Sequence, residues 1–459
     1  MASFEEWIVS RLPGFIRIRL EGGNGLRKVV GNSGWMLFDK VFRVGGIFLV
    51  NILVTRYLGP ERFGLLSYAM AFVSLFLAIA NLGLFSIVIR DVVRYPEERH
   101  EILGTALVLK LCGGTVCLAL SFIAILMTSP VNPETIPLVI IVAAGMVFQA
   151  FDVFDFWFLS QLQSKNTLKA NIPAFIISAI VRILLIYIKA PLVAFAWVSL
   201  AEIILAGIGF LLVYQSTTRE LLQLRFRLSW AKAILKDCTP LIFAGLMVML
   251  YNRIDQIMLG NMLGEKAVGL YSAAVRLAEF WYVFPGLILQ SLFSTIVTSK
   301  EKGNEIYTRV MQKVFDAMAL FSALFVVPLF IASNWLIELV YGKAYEGAGP
   351  LLAVYVLSGI FVMIGHAREY WIATENLMRF SLYSSIVGAV INILLNLILI
   401  PKFGPIGAAY ATLSALIAGS YLVNMVSSRT RPVFYMQTSA LFLFPAAIRL
   451  LRGHGASRE

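Results

Sequence analysis

Twelve ionisable side chains fall inside long apolar stretches of this 459-residue chain: the cations Lys40, Arg43, Lys110, Arg182, Arg253 and Arg276, and the acids Asp39, Asp152, Asp155, Glu202, Asp255 and Glu279. In hydrocarbon an unpaired charge is costly, so such groups pair with one another, face a wet cavity, or exchange protons and cations. The arginines offer forked donors that match a phosphate or carboxylate. Cation-lined or ion-coupled passage is the chemistry these residue types permit.

Spacing sorts them further. Asp39 and Arg43 stand at i,i+4, while Asp152 with Asp155 and Arg276 with Glu279 stand at i,i+3, so each pair shares a helix face. Asp39, Lys40 and Arg43 lie near a span end and can snorkel to the interface. Arg253 and Asp255, two residues apart, point to roughly opposite sides, so at least one must find its counter-charge on another helix or in water. Arg182, Glu202, Arg253 and Asp255, nearer mid-span, read as cavity lining, with structural ion pairing as the competing account. Asp152 and Asp155, like charges on one face, are candidates with Glu202 for ion coupling.

Bond-making chemistry finds no support. The chain contains no GxxxxGK[ST] phosphate loop, no nucleophile elbow, no HExxH and no Cys/His cluster, and His100, His366 and His454 fall in loops or at span ends. Cys112, Cys117 and Cys238 lack metal-ligand spacing and read as packing residues. No cofactor and no metal site is expected, nor an enzyme. Without a nucleotide site, uphill work must draw on an ion gradient, the membrane potential or product removal. Trp157, Trp281 and Tyr282 read as interface anchors or packing, with stacking on a sugar ring as the alternative.

The elements that carry these groups are set by composition: 59% of residues are hydrophobic and 14% charged. About twelve apolar runs have the length needed to cross ~30 Å of hydrocarbon. They are Gly34–Tyr57, Phe63–Ile89, Ile102–Met127, Ile136–Leu159, Ile172–Ile188 and Leu192–Tyr214, then Pro240–Met262, Leu270–Val297, Phe315–Ala332, Leu351–Gly365, Ser381–Ile400 and Ala408–Val426. Continuous runs exclude the alternating pattern of a barrel, so the fold class is all-α, a polytopic membrane protein.

Lys and Arg concentrate in alternate connecting segments, which places the amino terminus in the cytoplasm and reads the net charge of +12 as a topology signal, with no nucleic-acid partner. Residues 1–33 interleave Trp7, Ile8, Phe15, Ile16 and Ile18 with Arg11, Arg17 and Arg19, an amphipathic segment for the cytoplasmic membrane surface. The run Val433–Ala447 is short for a span and reads as interfacial.

A shift of 205 positions superimposes Leu58, Gly59, Gly64, Leu65, Ser67 and Ala69 on Leu263, Gly264, Gly269, Leu270, Ser272 and Ala274. Each set forms the turn between the first and second spans of a six-helix half. Six being even, the halves insert alike, as lobes related by a pseudo-twofold axis along the membrane normal. The divisions expected are 1–33, an amino-terminal lobe 34–214, a linker 215–239, a carboxyl-terminal lobe 240–426 and a tail 427–459.

Several stretches resemble a known family. Asn32-Ser33-Gly34-Trp35 with Asp39-Lys40, Arg56 to Glu61 with Phe63-Gly64, Asp155-Phe156-Trp157-Phe158 with Ser164-Lys165, Asp255 to Gly260, Val268 to Ala274 and Glu279-Phe280-Trp281-Tyr282 are similar to Wzx-type polysaccharide flippases of the multidrug/oligosaccharidyl-lipid/polysaccharide exporter superfamily. The chain departs at Phe293-Ser294, where the family pattern has Phe-Pro, and its end is shorter than that of members with fourteen spans.

The resemblance implies a flippase that moves an oligosaccharide on an undecaprenyl-diphosphate type carrier from the inner to the outer leaflet by alternating access, feeding O-antigen, capsule or exopolysaccharide assembly. Its partners would be the polyprenyl-diphosphate-linked oligosaccharide, membrane lipids, and a polysaccharide polymerase and glycosyltransferases. Arg43, Arg182, Arg253 and Arg276, with Asp39, Lys40, Asp255 and Glu279, would line the path. One alternative is a cation-coupled small-molecule exporter of the same superfamily. The other is a membrane glycosyltransferase or polymerase, for which the longest outer segment, Ser333 to Pro350, offers only Glu338 and Glu346 as acids.

Overall fold

The computed structural model describes residues 24–128, 132–442 and 445, and helices account for nearly all of them. Apolar runs this long fold as helices because only intrahelical hydrogen bonds satisfy their backbone in lipid. The amphipathic segment expected over 1–33 lies almost wholly outside the described residues.

A single apparent helix, Asn24–Ala80, breaks at Gly59 (φ 71°, ψ 169°), giving α1 (24–58) and α2 (60–80). Glycine carries the positive φ without steric cost, and Pro60 starts the next helix with its φ already set. There follow α3 (Leu84–Arg94), α4 (Arg99–Thr128), α5 (Thr135–Phe148), α6 (Val153–Ser160), α7 (Ser164–Tyr187), α8 (Leu192–Thr218) and α9 (Leu228–Leu263). The remainder comprises α10 (Glu265–Glu279), α11 (Val283–Glu301), α12 (Asn304–Ile331), α13 (Ser333–Tyr341), α14 (Ala348–Thr374), α15 (Met378–Phe403), α16 (Pro405–Leu416) and α17 (Arg431–Leu441). Eleven segments of the described residues are long and apolar enough to cross a membrane, and the first of them contains the Gly59 break, so twelve spans result.

Contacts divide the chain into two units. The first takes residues up to Tyr57 and Phe72–Leu246; the second takes Leu58–Ala71 and residues from Met247 on. The first unit has a core of Leu84, Val88, Ile102, Leu103, Phe154, Phe158, Phe210 and Tyr214, all buried. Tyr214 packs its ring 4.7 Å from that of Phe154. In the second unit Met311, Phe315, Val356, Met363 and Ile364 surround Trp281, which stacks on Phe325 at 5.2 Å with 6° between the rings. Trp281 is therefore a packing residue, with its face already taken. The run Val433–Ala447 contributes α17, whose Val433, Met436 and Ala440 join this same core.

The two similar turns have the same backbone geometry. Gly264 (φ 84°, ψ −177°) sits 205 residues after Gly59 and repeats its conformation. Both turns belong to the second unit and interlock: a Cβ built on Gly64 would lie 1.8 Å from the Glu265 carbonyl oxygen, and one built on Gly269 would lie 1.8 Å from that of Pro60.

Span ends differ from the sequence reading where polar residues continue a helix. The tenth span, read as Leu351–Gly365, runs on to Thr374 and so carries Arg368 and Glu369. The ninth, read from Phe315, begins at Asn304. A hydropathy boundary marks where side chains turn polar, whereas the backbone hydrogen-bond ladder persists beyond it.

Candidate functional site

In the second unit a buried polar constellation gathers around Asp255 of α9, which is 3% exposed. Its Oδ2 accepts hydrogen bonds from Tyr271 Oη at 2.7 Å and Thr412 Oγ1 at 2.6 Å, and its Oδ1 accepts one from Asn396 Nδ2 at 2.5 Å. Asn396 Nδ2 also donates to Asn392 Oδ1 at 3.0 Å. Asn392 and Asn396 meet the carboxylate from one face of α15 because they stand at i,i+4. Thr412 reaches it from α16, which crosses α15 closely: a Cβ on Gly407 would lie 2.2 Å from the Leu399 carbonyl oxygen. Small residues at such crossings let two helices approach within hydrogen-bonding reach.

No described Lys or Arg forms an ion pair with Asp255. Its counterpart is a shell of uncharged oxygen and nitrogen groups, among which Asn396 Oδ1 and Asn392 Nδ2 have no hydrogen-bond partner. A buried carboxylate is costly unless a cation or hydrogen-bond donors satisfy it, and here three donors do. Tyr271 and Thr412 turn hydroxyl oxygens to Asp255, and Asn396 turns its amide nitrogen to it.

A second acid follows two helical turns along α10 from Tyr271. Glu279 Oε1 accepts a hydrogen bond from Tyr355 Oη at 2.8 Å, and the Tyr355 ring stands edge-on to Tyr271 with centroids 5.9 Å apart. Arg253 and Arg276 both act electrostatically on Glu279. The Arg276 guanidinium sits 4.8 Å from the centre of the Phe63 ring, a cation–π contact. Arg253 is half-buried, and Asp255 turns to the interior of the unit. Their i,i+2 spacing separates them, but Asp255 finds hydrogen-bond donors where the sequence reading calls for a counter-charge or water.

In the first unit the charges pair. Lys110 Nζ lies 2.5 Å from Asp152 Oδ1 and 5.3 Å from the centre of the Phe156 ring. Arg182 Nη2 lies 2.8 Å from Glu202 Oε2, which also accepts from Ser178 Oγ at 2.8 Å. Asp155 Oδ1 accepts from Thr167 Oγ1 at 2.5 Å. Asp152 and Asp155 each take a partner of their own, Lys110 and Thr167, where the 3-10 turn Gln149–Asp152 leads into α6. Arg43 lies on α1 and is half-buried. Asp39 and Lys40 also lie on α1, with side chains outside the described residues.

The sequence reading passed over Arg368, Glu369, Asn392, Asn396 and Thr412. For the asparagines the i,i+4 amide pair within an apolar run was the available signal.

Residues 29–300 match the family model described as polysaccharide biosynthesis protein, and residues 240–398 match the MatE model. The probable flippase AglR of Haloferax volcanii is 27% identical over 179 residues, which make up 38% of this chain and 37% of that relative. The chain thus spans under two fifths of the length of this curated relative. Among solved structures, the lipid II flippase MurJ in an inward closed conformation aligns with a TM-score of 0.63 at 17% identity, covering 90% of this chain and 92% of that one. An inward-facing multidrug resistance MATE family transporter aligns with a TM-score of 0.69 at 16% identity, covering 84% and 94%. What these structures share with the chain is the two-lobe, twelve-helix fold.

Proposed function

Because the chain belongs to the polysaccharide biosynthesis protein family, within the multidrug/oligosaccharidyl-lipid/polysaccharide exporter superfamily of membrane transporters, we propose that it flips a lipid-linked oligosaccharide across the cell membrane by alternating access. The observation that carries this reading is the family match over residues 29–300. The side chains are compatible with it. Arg43, Arg182, Arg253 and Arg276 supply forked donors for a diphosphate, and the polyprenyl tail can remain in lipid while the sugar head crosses a polar path. With no nucleotide motif in the sequence, Asp255 in its uncharged shell is the group we assign to taking up a proton or small cation. Asp152, Asp155 and Glu202 then serve as partners of Lys110, Thr167 and Arg182 in the first unit. Export polymerases and glycosyltransferases are the enzymes that would consume and supply such a cargo.

The MatE match over residues 240–398 favours a second reading, a cation-coupled exporter of small molecules. Proteoliposomes holding a fluorescent polyprenyl-diphosphate-linked glycan distinguish the two. Leaflet exchange above that of empty vesicles is the expected result. No exchange, together with efflux of a small organic cation, would replace the flippase by the exporter.

A further inference from the structure

Arg368 sits in α14 with its side chain 3% exposed. Its Nε donates to Asn424 Oδ1, Nη1 to Glu369 Oε1 and Nη2 to Ser384 Oγ, each at 2.8 Å, and its face lies 5.4 Å from the centre of the Phe380 ring. A guanidinium carries five N–H groups. Three are therefore used by described residues, and two remain.

The same arginine braces an irregular piece of helix. After α16 the backbone widens into a π-turn, Ile417–Tyr421, and then tightens into a 3-10 turn, Leu422–Met425. Asn424 Nδ2 donates to Gln437 Oε1 at 2.9 Å and to the Ser420 carbonyl at 3.0 Å, while Gln437 Nε2 donates to that carbonyl at 3.1 Å. Such π-turns are rare and concentrate at functional sites. This one is held by a continuous buried network, and it turns Ser420 toward a cleft.

The cleft lies within the second unit, is open on one side, and is walled by Tyr251, Arg368, Glu369, Ser385 and Ser420. Part of the space exists because Gly388 and Gly419 have no side chain: a Cβ at Gly388 would stand 3.3 Å from the Tyr251 ring. Glu369, its side chain 43% exposed, holds Arg368 with one oxygen and accepts from Ser381 Oγ at 2.6 Å with the other. The Ser420 hydroxyl has no hydrogen-bond partner among the described residues.

The wall is thus neutral overall, since one cation faces one anion, and it mixes spare donors, a carboxylate, the free Ser420 hydroxyl and an aromatic flank. Phosphate would meet the Glu369 carboxylate, whereas a sugar, whose hydroxyls both donate and accept, meets complementary groups. We propose that this cleft is a subsite for one neutral, hydroxyl-bearing sugar residue. It rests on the reading of the cargo as a glycan. With the orientation expected from the basic residues, Arg368 and Glu369 lie toward the cytoplasmic end of α14 and Tyr251 near mid-span of α9, so the cleft would reach inward from the cytoplasmic side.

The test uses the full-length protein in nanodiscs and free methyl glycosides of glucose, galactose and N-acetylglucosamine. At least one should saturate, and a photoreactive version of it should crosslink to the peptides containing Tyr251 or Ser420 in the unaltered protein. Glu369→Gln and Tyr251→Leu should each weaken binding at least tenfold, and inorganic phosphate should not compete. The subsite is refuted by absence of saturation, by crosslinks elsewhere only, by variants that are folded yet bind equally, or by displacement with phosphate. Glycoside binding without flipping of the lipid-linked glycan would overturn the flippase reading alone. Flipping without glycoside binding would overturn the subsite alone.

Discussion

Gly64→Ala places one methyl group where the backbone of the facing turn already stands. The added Cβ would lie 1.8 Å from the Glu265 carbonyl oxygen and 2.8 Å from the Gly269 nitrogen, and none of these atoms can rotate away. The turns must then separate by more than an ångström, and overpacking of this kind costs about 1–3 kcal/mol. Gly269→Ala should cost a similar amount, because its Cβ would lie 1.8 Å from the Pro60 carbonyl oxygen. Once one methyl has parted the turns, the second finds space already made, so the double variant should lose clearly less than the sum of the singles. Thermal unfolding of the four proteins in detergent gives this cycle. Additive losses, or single variants as stable as the parent, would show that the two turns do not pack as one contact.

Other substitutions test the polar groups. Asp255→Ala removes the acceptor shared by Tyr271, Thr412 and Asn396, while Thr412 and Asn396 keep the Ala408 carbonyl and Asn392 Oδ1, so a total loss of about 1–3 kcal/mol is expected; a parental melting curve would contradict the network. Asp255→Asn should keep the fold and abolish the dependence of flipping on an imposed ion gradient, which flux measured with and without the gradient checks. Arg253→Ala should insert normally and lose transport, and full transport would remove it from the path. Lys110→Met strands the Asp152 carboxylate, which is about one third exposed, so a loss of about 2 kcal/mol, below that of a fully buried pair, is expected in thermal melts.

The long apolar runs made the helices legible, and the repeated Leu-Gly turn anticipated two glycines with matching positive φ. Partners were less legible, because they lie far apart along the chain. Lys110 meets Asp152 across 42 residues, and Asp255 meets Thr412 across 157, distances over which a single sequence carries no pairing signal. Arg368 escaped because hydropathy falls at His366, before the helix ends at Thr374. The π-turn after α16 left only the Gly419-Ser420 pair as a trace, a combination that bends helices for several reasons.

The interlocked glycines also bear on ancestry. Shifting by 205 residues turns the contact of Gly64 with Glu265 into that of Gly269 with Pro60, which is the self-complementary signature of a twofold homodimer. A half-length forebear makes that handshake only with a second copy of itself. The positions matching Asp255 and Tyr271 under the same shift are Val50 and Leu66, so the acid and its tyrosine stand in one half alone.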